Sequence, residues 1–166
     1  MRNSILLTVC LLLGIANAAA NPFSTAGWTK LTVPEGNLSI MMPGNTQPVN
    51  TTESTDKGPV AVHYYSLTLG TEEYYVSWRD YPFTLASDTL TTVRKNQVGT
   101  GTILLQADTS QNGHPGNTTT WQKDGRTYVS LNYAIGSRLY QTIYVGNALT
   151  ALIHGAPFIK SFQLTN

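Results

Sequence analysis

The segment 117–146, NTTTWQKDGRTYVSLNYAIGSRLYQTIYVG, constrains the fold more than any other part of this chain. Asp124-Gly125 sits between two runs rich in Thr, Tyr and Val. A tight hairpin turn of the primed kind needs positive φ at both central residues, which Gly adopts without steric cost and Asp tolerates. A second turn is expected around Ile135-Gly136-Ser137, so the segment reads as a three-stranded antiparallel meander. In its third strand Leu139, Ile143 and Val145 share a face on which Gln141 is the polar exception; Tyr140, Thr142 and Tyr144 share the other. In the middle strand Val129, Leu131 and Tyr133 oppose Tyr128, Ser130 and Asn132. Tyrosines therefore fall on both faces. Either both faces are covered, or one is half-wet, with phenolic hydroxyls reaching solvent. Cross-strand packing accounts for these aromatics, and an aromatic binding face is the alternative.

The remaining segments extend the same pattern. Strands are expected at 28–33 (WTKLTV) and 38–42 (LSIMM) around a Pro34-Glu35-Gly36-Asn37 turn, and a weak edge strand at 47–55. A hairpin follows, 60–69 (VAVHYYSLTL) and 73–80 (EYYVSWRD), closed by Pro82, which cannot donate to a ladder. Leu85, Leu90, Val93 and Val98 then recur at near-helical intervals. They predict a helix over 87–97, with Ser87 or Asp88 as N-cap and Gly99 as terminator. A strand is expected at 102–108, then a turn through 112–116, a helical turn or two at 147–153, a short helix opened by Pro157, and a final strand at 162–164. No repeat or linker divides the chain.

Residues 1–20 have the layout of a secretory signal peptide: Arg2 as the only charge, the apolar run ILLTVCLLLGIA, and small residues at 16–20 for cleavage after Ala18 or Ala20. At roughly a dozen residues the apolar run is shorter than the ~20 needed to span a bilayer. The only cysteine, Cys10, lies inside that run, so neither lipidation nor a disulfide is expected, and a hydrophobic core over 21–166 must supply stability. Ten basic and nine acidic residues leave a net charge of +1, and zero without Arg2. Such a neutral surface, rich in Thr, Ser, Asn and Gln, speaks against nucleic acid or an acidic membrane surface as partner.

Strong catalytic signatures are missing: the sequence has no HExxH, no cysteine pair for zinc, no P-loop and no G-x-S-x-G. Gly99-Thr100-Gly101 is a fragment of a glycine-rich pattern, but Leu104 stands where the third glycine would be. His63, His114 and His154 are widely spaced and read as surface or structural imidazoles, and Glu72-Glu73 as a solvated hairpin tip. Three matches to the N-glycosylation pattern, at Asn37, Asn50 and Asn117, follow from composition. No residue is nominated as catalytic, and no metal or cofactor is expected. Asp80, Tyr81, His114, Trp121 and Tyr128 are the binding candidates.

Several of these pieces, in this order, resemble a family of exported bacterial proteins with a PsbP-like α/β/α sandwich. They are Trp28, the Pro34-Glu35-Gly36-Asn37 turn, Leu38-Ser39-Ile40-Met41-Met42-Pro43-Gly44, Trp78-Arg79-Asp80-Tyr81-Pro82, Gly113-His114-Pro115-Gly116, Arg138-Leu139-Tyr140-Gln141 and Ser161-Phe162-Gln163-Leu164. The resemblance covers the chain after the leader and implies an α+β domain, a twisted, mostly antiparallel sheet with a few packed helices. Its namesake is an extrinsic subunit of the photosynthetic oxygen-evolving complex, and an intracellular relative binds the small GTPase Ran. Both act by binding proteins. No manganese, calcium or Ran contact set is matched here, so no residue role carries over. The expectation is an exported, non-enzymatic module that recruits a protein partner through a sheet face or an edge strand. The alternative is a small-ligand or hydrolytic domain with a pocket near Tyr81 and His114.

Overall fold

A computed structural model describes residues 25–165; the leader-like 1–20 lies outside the described residues. β1 (Thr29–Val33) and β2 (Leu38–Met42) pair antiparallel across the expected turn, where Asn37 takes a φ of 50°. β3 (Pro48–Thr55), β4 (Gly58–Leu69) and β5 (Glu72–Asp80) follow as successive antiparallel neighbours. α1 (Thr89–Val98) then crosses one face of the sheet to reach β6 (Thr102–Gln111), β7 (His114–Lys123), β8 (Arg126–Ile135) and β9 (Arg138–Gly146). Asp124 and Gly125 have φ of 52° and 75°, as a primed turn requires.

The chain closes with α2 (Ala148–Thr150), a π-helical turn over Ala151–Gly155, α3 (Ala156–Lys160) and β10 (Gln163–Leu164). Asn147 starts this segment with a reciprocal cap: its Oδ1 accepts from the Thr150 amide at 2.9 Å, and the Thr150 Oγ1 accepts from the Asn147 amide at 3.1 Å.

Seven strands form one antiparallel sheet in the order β3-β4-β5-β9-β8-β7-β6, and β1-β2-β10 form a second, smaller sheet. Alternation along β5 decides the layering. Tyr74, Val76 and Trp78 face the small sheet and the C-terminal helical segment, where they pack with Ile40, Phe158 and Phe162 at 0–2% exposure. Tyr75, Ser77 and Arg79 face the side that α1 partly covers. One face is thus sealed and the other half-wet. Among the described residues helix is confined to α1 and to the unbroken stretch of α2, the π-helical turn and α3, so the α+β sandwich with its few packed helices is rich in strand.

The turn expected through 112–116 is shorter than its glycines and proline suggest. Asn112 and Gly113 alone take positive φ, 53° and 79°, and His114, Pro115 and Gly116 already belong to β7. Pro115 is tolerated because it pairs only with Ser110 of β6; the β7–β8 ladder begins at Gly116. Gly116 leaves room for Tyr133: a Cβ there would lie 2.5 Å from the Tyr133 ring and 2.7 Å from the Asn132 carbonyl oxygen. The helix starts at Thr89 with Asp88 in the cap position, and the Asp88 side chain makes no capping bond.

Candidate functional site

The half-wet face carries a trough of about 470 Å³ between the C-terminal end of α1 and strands β5, β9 and β8. Its floor is Tyr75, Ile143 and Val145, side by side on neighbouring strands, since Tyr75 pairs with Ile143. One wall is the stacked pair Trp121 and Tyr128, ring centroids 5.0 Å apart and 13° from parallel. Arg79 and Gln141 stand at one end and Glu73 at the other. Glu73 and Arg79 are six positions apart on β5, so the trough spans about 20 Å at about 3.3 Å per residue.

Polar groups around it are held in place. Asn117, 2% exposed, donates to the Leu90 carbonyl of α1 at 2.8 Å and accepts from Asn132 Nδ2 at 2.9 Å. Asn132, fully buried, closes an amide-to-amide pair with Gln97 of α1 at 3.0 Å in both directions. This buried relay fixes Gln97 at the trough wall. Gln141 Oε1 accepts from Arg79 Nη1, and its amide nitrogen has no partner among the described residues. The charges at both ends are matched: Arg79 lies 3.6 Å from Glu53, and Arg126 lies 2.7 Å from Glu73.

Beside the trough runs the free edge of the sheet, β6. Ile103 sits opposite Trp121, and the register slips between Ile103 and Leu105, so that Leu104 is the extra residue of a bulge. Ile103, Leu104 and Leu105 are 44%, 53% and 66% exposed. Gly99 and Gly101 just before this strand explain the glycine-rich fragment without a phosphate. Gly99 ends α1 at a φ of 54°, and a Cβ at Gly101 would lie 2.7 Å from Trp121 Cδ1 and 2.9 Å from the Gln122 carbonyl oxygen.

The five binding candidates do not form one site. Trp121 and Tyr128 line the trough, Trp121 at 2% exposure with its indole N–H lacking an acceptor. Asp80 is taken by Arg138 through two hydrogen bonds, 2.6 and 2.9 Å, and Arg138 also reaches the Glu35 carbonyl at 3.1 Å. Tyr81 lies with Phe83 in a cleft of about 310 Å³ under the start of α1. His114 lines a different recess, of about 130 Å³, with Ile135 and Tyr140. The expected pocket near Tyr81 and His114 is therefore not assembled, because the two side chains serve separate clefts. His63 stacks on Trp78 at 4.7 Å, hydrogen-bonds Asn50 at 2.7 Å and lies 3.9 Å from Asp80. Among the described residues no serine hydrogen-bonds His63 or His114.

A second cluster corrects the reading of Glu72 as a solvated tip. Alternation sends Glu73 to the half-wet face and Glu72 to the sealed one, where its side chain is 17% exposed. Glu72 Oε2 accepts from Tyr144 OH at 2.7 Å, His154 Nδ1 at 2.8 Å and Tyr74 OH at 2.9 Å. Burial works against the carboxylate's charge, but the bonds from Tyr144, His154 and Tyr74, with the histidine's charge, prevail and hold its pKa below the usual value. Tyr74 and Tyr144 are pushed well above the ordinary tyrosine value, first by burial and then by the adjacent carboxylate. Gly146 and Gly155 allow the closeness: a Cβ at either would come within 2.5 Å of Tyr144. The cluster pins the π-helical turn to the sheet.

No family model matches the sequence, and neither does any curated protein. Among solved structures, the solution structure of cyanobacterial PsbP (CyanoP) from Synechocystis sp. PCC 6803 superposes with a TM-score of 0.58, covering 95% of this chain and 98% of that one at 13% identity. The fold is PsbP-like. A crystal structure of the protein of unknown function PA94 from Pseudomonas aeruginosa reaches a TM-score of 0.40 at 10% identity, over 78% of this chain and 89% of that one, too low to bear on the fold. Within the PsbP-like frame the trough lies on the half-wet side, and no helix of the described residues is long and apolar enough to cross a membrane.

Tyr75 is among the aromatic residues that the sequence offers as possible anchors; residues missed at the sequence level are Gln97, Ile143 and Val145 of the trough, and Glu72. The available signal was Gln141, the one polar residue on an otherwise apolar strand face.

Proposed function

We propose that this PsbP-like domain is an exported, non-enzymatic binding module that takes up an extended polypeptide segment along the edge of β6. One observation carries the reading: the outermost strand presents Ile103, Leu104 and Leu105 to solvent in a row. Edge strands offer unpaired N–H and C=O groups to any chain laid beside them, and proteins usually blunt such edges with charge or proline. The opposite edge, β3, follows that practice with Pro48, Glu53 and a polar run. β6 has neither proline nor lysine, and its one charge, Asp108, is paired with Arg94 at 3.1 Å. Ile103 and Leu105 lie on opposite faces of the strand and would grip alternate side chains of an added strand. Export rests on the leader-like 1–20, and the CyanoP likeness supports the fold on which the edge is built.

The test is retention of a partner from envelope extract on the immobilised protein, compared with Ile103→Lys/Leu105→Lys. The expected result is one specific band, lost in the double variant and little changed between low and moderate salt, because the surface is neutral. Retention that survives both lysines, or that collapses with salt alone, would refute the edge reading.

A further inference from the structure

We infer that the trough beside α1 is a binding site for a neutral oligosaccharide. The inference is independent of the edge-strand reading, since no residue it uses lies on β6.

The volume, about 470 Å³, falls in the range of small-ligand sites. Three features select the ligand class. The floor is apolar and flat: Tyr75, Ile143 and Val145 lie in register on adjoining strands, with the Tyr128 ring rising beside them, a surface suited to the C–H face of a sugar ring. Next, the polar groups at the rim are amides held by other contacts. Gln97 is locked by Asn132 and keeps one hydrogen and one lone pair to spare; Gln141 is oriented by Arg79 and keeps its whole NH₂ free. Such groups donate to and accept from hydroxyls equally. Finally, both charged ends are already neutralised, Arg79 by Glu53 and Glu73 by Arg126. An anionic ligand would find no unpaired cation, and a cationic one no unpaired carboxylate.

The same geometry argues against a peptide in the trough. β8, β9 and β5 are interior strands of the ladder, so their N–H and C=O groups are taken. An extended peptide lying on the sheet face would bring its own backbone groups to a floor with nothing to pair them, at a cost of about 1–3 kcal/mol for each one buried. A sugar chain keeps half its hydroxyls toward water. The span of about 20 Å accommodates several linked rings.

Titration of the ¹⁵N-labelled protein with chitotriose and with maltotriose, followed on the indole N–H resonances, tests this. The protein has three tryptophans, and Trp121→Phe assigns the one that stacks on Tyr128. Covering Tyr128 changes the ring current at Trp121, so its indole signal is expected to move and to saturate with a Kd of about 1 mM or tighter. Tyr75→Ala and Gln141→Ala are each expected to weaken binding at least tenfold while the spectrum stays dispersed. Trigalacturonate and trialanine are expected to leave the signal in place. The proposal fails if neither neutral trisaccharide moves the Trp121 resonance at about 10 mM, if the two variants bind like the parent, or if trigalacturonate or trialanine binds more tightly. The PsbP-like edge reading would stand in each of those cases.

Discussion

Trp121→Ala is expected to destabilise the protein by about 3 to 5 kcal/mol, the usual cost of emptying a buried tryptophan site. The indole is 2% exposed, stacks on Tyr128 and abuts Gly101, whose missing side chain is what lets the ring sit where α1 ends and β6 begins. The deletion would leave Tyr128 without its stacking partner and the backbone at Gly101 without the ring it approaches. Urea denaturation reads the effect, and a loss below about 1 kcal/mol would show that the ring is a surface group. The unpartnered indole N–H slightly offsets the indole's stabilising burial, so Trp121→Phe should be milder than Trp121→Ala.

Glu72→Ala should be the second large effect, about 3 kcal/mol. It strips the acceptor from the hydroxyls of two buried tyrosines, Tyr74 and Tyr144, at about 1–3 kcal/mol each. Glu72→Gln keeps an acceptor and should cost less. The same cluster gives stability a shape against pH. Glu72 has its pKa depressed by folding, so its contribution is present above the ordinary glutamate value of about 4.3 and is lost as pH falls below it. Tyr74 and Tyr144 have theirs raised, so the folded state's advantage is intact below the ordinary tyrosine value of about 10 and erodes as pH climbs past it. Thermal midpoints across the acid range should fall less steeply for Glu72→Ala than for the parent. An unchanged acid slope would mean that Glu72 is not the responsible carboxylate.

Elements whose pattern is local could be read before the structure. β1, β2, β4, β5 and the meander follow from period-two alternation and from turns such as Asp124-Gly125, whose backbone demands are met by very few dipeptides. The helix was legible from Leu90, Val93 and Val98; it starts at Thr89, with Asp88, one of the two caps expected, at the N-cap position. Elements and contacts set by distant partners were not legible. Whether Glu72 or Glu73 turns inward depends on where β5 begins and on Tyr144, 72 residues away in sequence. The trough draws on α1, β5, β7, β8 and β9, so no spacing within one segment announces it. The π-helical turn likewise answers to packing on Tyr144, which no propensity encodes. The polar face of the middle strand, Ser130 and Asn132 beside Tyr128, marked the right side of the sheet without saying what it holds.

The strand order has a consequence for how the chain gets there. β3 to β5 form one run of neighbours and β6 to β9 another, each assembled through short connections; one seam, β5 against β9, joins them. At one end of that seam Asp80 grips Arg138 across 58 residues, and at the other Glu72 grips Tyr144 across 72. Most of the loop-closure entropy of the large sheet therefore falls on a single pairing, that of β5 with β9. The two carboxylates at the ends of β5 act as latches on that pairing, since each finds its partner only when β5 and β9 lie in register.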